Sequence, residues 1–461
     1  MKLGAQFHQN RQPSGNGVAY YQARQSNLIL LIHQNQWMIE QVLSRNNLNR
    51  AYLQVYRNKG AGGVDGVQTE DLANHLALHG KKYLANIRNS CYEVSPILGV
   101  KIPKSNGKTR LLGIPTVSDR VFQQALHQVL QPIFEADFQQ YSYGFRPKRN
   151  AHQAIDQSLT NINSGYQDIV DTDLKAFFDQ VEHAVLLELI YKKVKCRMTL
   201  KLLRSFLRAP IQIDGKLEKR RKGVPQGSPL SPLLSNILLN ELDKELEKRG
   251  HRYIRYADDF SIYVRSKRAA HRVAKSIRQF LTDKLKLPIN EEKSGVRRPT
   301  TFQVLGYSFV PTYKKGEKGK YQLVVKPSKW EELKAKLKRL TRKTIPASFD
   351  ERIHRINLLL RGWVNYFKKA SIHQKLKKLD EWLRNRLRYC IWHDWKKPDR
   401  KRKNLIRLGV KQGMAYAWSR TRMGGWRVAQ SPILGTTITI NRLKQRGYIS
   451  FMEYYHKVRH R

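Results

Sequence analysis

Tyr253-Ile254-Arg255-Tyr256-Ala257-Asp258-Asp259-Phe260-Ser261-Ile262-Tyr263-Val264 is the stretch that decides how this 461-residue chain is read. Two runs of aromatic and β-branched residues flank a short polar break, so the segment reads as a β-hairpin with Ala257-Asp258-Asp259 at its tip. Upstream, Asp168-Ile169-Val170-Asp171-Thr172-Asp173-Leu174 reads as a buried strand running out into polar ends. If both lie in one sheet, Asp173, Asp258 and Asp259 converge at strand ends, where like charges repel unless a cation neutralises them. Mg²⁺ suits such a site, taking a few carboxylate oxygens and leaving positions for water and phosphates. Two ions about 4 Å apart polarise an attacking 3′-hydroxyl and stabilise a leaving pyrophosphate. Adjacent strand residues point to opposite faces, so Asp258 and Asp259 are not expected to contribute equally; Asp258 is expected to be the stronger ligand.

Working outward, strands and helices interleave through 95–310, which predicts an α+β domain. Val100-Lys101-Ile102-Pro103-Lys104 and Arg110-Leu111-Leu112-Gly113-Ile114 read as a hairpin turning at Asn106-Gly107. Helices are expected at 119–135, 150–163, 182–193 and 233–248. Beyond Pro327 the apolar period changes: Trp330, Leu333, Leu337 and Leu340, then Ile353, Ile356, Leu360, Trp363 and Phe367, then Trp382, Leu383, Leu387, Ile391 and Trp395 recur at helical steps. Three amphipathic helices with basic outer faces are expected there. A basic linker, 396–403, leads into a last domain reaching 461, and residues 1–36 read as a loose polar arm.

Lys and Arg number 87 against 36 Asp and Glu, a net charge of +51. A charge that large repels itself unless a polyanion is present, and nucleic acid is the obvious one. No apolar run approaches the length of a spanning helix and no signal-peptide core is visible, so a membrane partner is not expected and a cytoplasmic location is. Cys91, Cys196 and Cys390 stand too far apart for a zinc pair and are expected to be buried, reduced thiols. His75 and His79 have helical ligand spacing without a third ligand nearby and read as surface.

An Asp-Asp turn by itself is an ordinary turn signal; its context gives it weight. Asp173-Leu174-Lys175-Ala176-Phe177-Phe178-Asp179, then Gly223-Val224-Pro225-Gln226-Gly227-Ser228-Pro229-Leu230-Ser231-Pro232, then Tyr256-Ala257-Asp258-Asp259 resemble, in order, the central motifs of reverse transcriptases. Lys101 to Lys104 with Arg110 to Thr116, and Ser142-Tyr143-Gly144-Phe145-Arg146-Pro147, resemble the fingers motifs of the group II intron class. Asn290-Glu291-Glu292-Lys293-Ser294 and Phe302-Gln303-Val304-Leu305-Gly306-Tyr307 are similar to its late palm motifs, and Arg361-Gly362-Trp363-Val364-Asn365-Tyr366-Phe367 to its thumb, or maturase, signature.

The resemblance implies a right-hand polymerase fold: fingers and palm with an antiparallel sheet over 37–325, a helical thumb or maturase domain over 326–395, and a small basic DNA-binding domain within 396–461. It implies an RNA-directed DNA polymerase that copies intron RNA from a target DNA primer with dNTPs and two Mg²⁺, and that also binds the intron RNA to promote splicing. Asp173, Asp258 and Asp259 are then the catalytic metal ligands. Lys104 and Arg110 are expected at the triphosphate, Phe178 against the sugar, Gln226 at the nascent base pair and Lys293 near the departing phosphate. Arg361, Lys368, Lys369, Arg384, Arg386 and Arg388 are candidates for RNA contact. No cysteine follows Cys390, so the zinc-stabilised nuclease module of many relatives is expected to be missing. The alternatives are a non-catalytic RNA-binding splicing cofactor and a reverse transcriptase of another bacterial retroelement.

Overall fold

A computed structural model describes residues 37–103, 107, 109–313 and 316–459. The arm at 1–36, Lys104 and Asn106 lie outside the described residues. Packing divides the chain into two units, one of residues to Ala154 with Val170–Val296, the other of Ile155–Ile169 with Arg297 onward.

The first unit mixes helix and sheet, as the interleaved pattern predicts. Its floor is a four-stranded sheet in the order β6-β7-β3-β8, with β3 Asp168–Thr172, β6 Arg252–Tyr256, β7 Asp259–Val264 and β8 Gly295–Arg297. The β6–β7 hairpin is antiparallel with Tyr256 opposite Asp259, leaving Ala257 and Asp258 as a two-residue tip. Phe260 to Val264 are all buried, so this strand runs through the core. The second sheet has the order β2-β1-β4-β5, with β1 Ile97–Pro103, β2 Thr109–Ile114, β4 Ile211–Ile213 and β5 Lys216–Glu218. Here the expectation of antiparallel sheets needs a correction, because β1 pairs β4 in parallel. The long, largely helical excursion between Ile114 and Ile211 supplies the crossover that parallel pairing requires.

The helices start where capping chemistry places them. Thr116 accepts from the Asp119 amide and donates to its carboxylate, opening Val117–Glu135. Pro232 stands in the first turn of Ser231–Lys248, where its missing N–H costs nothing. That helix presents Leu233, Leu238, Leu239, Leu242 and Leu246 to one continuous core shared with Val117–Glu135 and the floor sheet.

The second unit carries the three amphipathic helices, Pro327–Leu340, Phe349–Phe367 and His373–Asp394. Leu333, Leu337, Ile356, Leu360, Leu376, Leu383 and Leu387 are each at most 1% exposed, the inner stripe of the pattern. Strands β9 Gln303–Val304, β10 Tyr307–Pro311 and β11 Tyr321–Val325 form a small antiparallel sheet in this unit. Two sequence expectations change here and in the first unit. The basic run at 396–403 enters a helix, Pro398–Arg407, rather than a linker; Pro398 in the first turn and Asp399 beside the helix amides start it. Cys196 and Cys390 are buried, but Cys91 is exposed, sitting past a helix end where its N–H caps Asn86 O at 2.9 Å.

Candidate active site

β3 and β7 are neighbours in the floor sheet, so Asp173, one residue past β3, comes to the same end as the Asp258 tip and the Asp259 start of β7. Asp173 is held by a short segment that sequence reasoning tied only to Lys293. Asn290 Nδ2 donates to Asp173 Oδ2 at 2.9 Å, and the Asp173 amide donates to Ser294 Oγ at 3.0 Å. Lys293 Nζ lies 3.4 Å from the same carboxylate, with 64% of its side chain exposed. Asn290 and Ser294 therefore fix the aspartate while leaving one carboxylate oxygen for other work.

The electrostatics of this floor are adverse. Crowding that strips water raises the Asp259 carboxyl to about 6, and Asp258, Asp173 and Asp171 add to the rise against a lowering from Lys293. Asp258 is raised as well, first by burial and then by Asp173, with Arg110 and Arg255 pulling it back. Asp171, two residues before Asp173 and hence on the same strand face, is a fourth acid of the cluster. Its alternation with Asp173 was the signal available for it. The mutual repulsion of Asp173, Asp258 and Asp259 makes a site that favours bound positive charge. No three His, Cys, Asp or Glu side chains form a ready-made metal group among the described residues. Mg²⁺ asks for less, since one or two carboxylates together with substrate phosphates hold it.

Beneath the tip lies a pair of opposite character. Arg255 and Asp243 are fully buried and joined by Nη2–Oδ2 at 2.5 Å and Nε–Oδ1 at 2.8 Å. The remaining guanidinium nitrogen donates to Asn236 Oδ1 and to Ala257 O, both at 2.9 Å. Ala257 has φ +59°, a left-handed backbone that costs a non-glycine residue about 1 kcal/mol or more. Its carbonyl is thus pinned by the buried arginine. From the other side Asn236 Nδ2 donates to Gly144 O at 2.9 Å. A Cβ on Gly144 would stand 2.2 Å from the Ala257 nitrogen, which explains that glycine within Ser142 to Pro147. A desolvated pair of this kind contributes little net stability; here it fixes the carboxylate-bearing turn.

Facing this arrangement, the loop 223–230 docks on two elements. Val224 N donates to Phe178 O at 2.6 Å, and Gly113 N on β2 donates to Gln226 O at 2.8 Å. Gly227 has φ +114°, and a Cβ there would lie 2.7 Å from Gly113 O. The glycine makes room for the β1–β2 hairpin. Arg110 Nε donates to Gln226 Oε1 in a short hydrogen bond. Arg110, Gln226, Phe178, Phe145 and Arg120 line one cavity of about 470 Å³. Phe177 is buried at 2% exposure and Phe178 is half-buried in that cavity wall. Arg120 went unnoticed in the sequence; Nε reaches Pro115 O at 3.1 Å, and burial lowers its pKa.

The basic residues chosen in the second unit divide. Arg386 donates from Nη2 to Thr341 O at 2.9 Å, Arg388 from Nε to Ile438 O at 3.0 Å, and Lys369 reaches Asp156 at 2.5 Å. These three tie elements of that unit together. Arg361 stays exposed on its helix, and Lys368 and Arg384 are half-buried.

Comparison with known proteins gives two family matches. The family described as reverse transcriptase (RNA-dependent DNA polymerase) matches residues 102–309, and the group II intron maturase-specific domain matches residues 330–409. Protein YkfC of Escherichia coli strain K12 is 31% identical over 309 residues, covering 58% of this chain and 78% of that protein. Group II intron-encoded protein LtrA of Lactococcus lactis subsp. cremoris is 33% identical over 182 residues, 39% of this chain but only 30% of LtrA. Nuclear intron maturase 1, mitochondrial, of Arabidopsis thaliana is 33% identical over 144 residues, 30% of this chain and 20% of that protein.

Proposed function

This chain belongs to the reverse transcriptase family that carries a group II intron maturase domain, and from that premise we propose that it copies its own intron RNA into DNA and binds that RNA to promote splicing. The arrangement read from the sequence serves as the assignment: right-hand fingers and palm to residue 325, thumb or maturase domain over 326–395, and a DNA-binding domain within 396–461. What supports the reading is that Asp173 adds to the rise of both the Asp258 and the Asp259 carboxyls at one end of the floor sheet, an acidic patch in want of cations.

Reverse transcriptases work with divalent metal ions; two Mg²⁺ bound by Asp173, Asp258 and Asp259 would polarise the primer 3′-hydroxyl and stabilise the pyrophosphate as it leaves. The chain's own residues do the rest. Asn290 and Ser294 hold Asp173 in place, and Arg255 holds the turn that presents Asp258. Arg110 and Lys104 meet the triphosphate, and Lys293 meets the departing phosphate. Gln226 is steadied by Arg110 beneath the nascent pair, and Phe178 walls off a 2′-hydroxyl, so deoxynucleotides are selected. Arg361, Lys368 and Arg384 lead the RNA contacts, whereas Arg386, Arg388 and Lys369 support the surface from within.

Primer extension on an RNA template tests the reading. Wild type is expected to incorporate dNTPs in the presence of Mg²⁺, and Asp258→Ala is expected to lose incorporation while keeping RNA binding. A wild type that binds RNA and promotes splicing without incorporating any dNTP would instead make this a splicing cofactor.

A further inference from the structure

We propose that a cavity of about 480 Å³ in the second unit receives one unpaired nucleotide of a bound RNA, its base stacked on the Trp382 indole and its phosphate met by lysines. The inference rests on the reading that this protein binds RNA, and it names a place and a chemistry for part of that binding.

The cavity lies between helices Pro327–Leu340 and His373–Asp394, and helical spacing builds both walls. Trp330 and Lys334 stand one turn apart on the first; Lys375, Lys378 and Trp382 follow at three and four residues on the second. The volume is that of a small-molecule site, too small for a helix or a duplex. Lys375 Nζ lies 5.7 Å from the centre of the Trp330 ring, and the Arg386 guanidinium 5.4 Å from that of Trp382. Such cation–ring contacts fix the indoles; Trp330 is buried and packs on Trp363 at 4.8 Å, so it backs the cavity, and half-buried Trp382 is the ring a ligand meets. The lysines are exposed, and none of Lys334, Lys375 and Lys378 forms an ion pair among the described residues. Glu331 at the rim is the single acid, and it suits an exocyclic amine of a base as an acceptor.

Planar apolar walls with a cationic rim fit a nucleotide better than an acidic peptide. A carboxylate side chain satisfies the lysines but offers no ring to Trp382, whereas every base has two faces. The base must be unpaired, because a helix already covers those faces with its own neighbours. The chain's charge of +51 delivers the polyanion to this surface.

The test uses the full chain and two RNAs of one stem, a hairpin with 2-aminopurine in its loop and a blunt duplex. Trp382→Ala is expected to weaken hairpin binding about tenfold and duplex binding by less than about twofold, and to abolish the 2-aminopurine quenching seen with wild type. Lys378→Glu, an exposed position that leaves folding intact, is expected to weaken the hairpin about fivefold, and Trp382→Phe to restore binding because a ring remains. Equal hairpin binding by wild type, Trp382→Ala and Lys378→Glu overturns the proposal. So does poly-glutamate that displaces the hairpin as well as RNA does, which assigns the cavity to an acidic protein. Micromolar binding of free AMP overturns the RNA source in favour of a free nucleotide. Incorporation of dNTPs by wild type is measured beside these. A protein that fails to incorporate yet quenches through Trp382 loses the polymerase reading and keeps this one; the reverse result does the opposite.

Discussion

Three aspartates show how differently one side chain is used in the two units. In the second unit Asp380 is 2% exposed and wholly satisfied. Its Oδ1 accepts from Tyr448 Oη at 2.8 Å and Phe451 N at 2.9 Å, and its Oδ2 from Ser450 Oγ at 2.6 Å and Met452 N at 2.9 Å. It caps the helix Phe451–Arg459 across 71 residues of chain. In the first unit Asp258 and Asp259 have neighbours of their own sign, and both carboxyls are raised. A buried carboxylate given four donors holds structure. Carboxylates left beside others of their own sign favour a bound cation, the use proposed above for Asp258 and Asp259.

The contrast breaks first at Asp258. On the proposed assignment Asp258→Asn removes a metal ligand and a repulsive charge together, so dNTP incorporation is expected to fall at least about 10³-fold, about 4 kcal/mol of barrier. The melting temperature of the metal-free protein is expected to hold or rise. A fall in both would make Asp258 a structural residue like Asp380. Asp380→Asn is the mirror experiment. It sets an amide N–H₂ against donors that need an acceptor, and it is expected to cost about 2–4 kcal/mol. Hydrogen exchange across Phe451–Arg459 should accelerate, while dNTP incorporation on a short template changes little.

Gly227→Ala should be milder. It forces a Cβ onto a backbone at φ +114° and against Gly113 O, at a cost of about 1–3 kcal/mol. Because Gln226 and the β1–β2 hairpin move with it, the Michaelis constant for dNTP is expected to rise more than the turnover falls. Steady-state kinetics on one template separates the two.

What the sequence disclosed follows from the range over which each signal acts. The hairpin at 253–264 and the three helices after Pro327 were legible because alternation and helical period are local. Phe178 was expected beside a bound sugar, and it does line a cavity. The clamp on Asp173 was not legible: Asn290 is 117 residues away, and an asparagine in a turn has many local uses. Asp243 reads as one more acid on a helix until Arg255 is buried against it. The parallel β1–β4 pairing depends on three-residue strands that carry almost no pattern. The charge run at 396–403 hid a helix whose start, Pro398-Asp399, was in plain view.

The smallest effect is the one that follows pH. The Asp259 carboxyl, ordinarily near 4, lies at about 6 in the metal-free protein. Only its ionised form can hold a cation, so protons compete with metal as pH falls through 6. Half-saturating Mg²⁺ is expected to rise several-fold between pH 7.5 and 5.5, about one pH-dependent proton per site. Stability of the metal-free protein runs the other way. A carboxyl raised on folding binds its proton more tightly in the native state, so its favourable contribution is complete below pH 4 and fades as pH climbs through 6. Asp259 is exposed, so solvent screening keeps this second effect small. Asp259→Asn should flatten both profiles, read by calorimetric Mg²⁺ titration and by thermal melts without metal. An unchanged Mg²⁺ profile in that variant would move the titrating ligand to Asp258, and with it the more exposed half of the contrast.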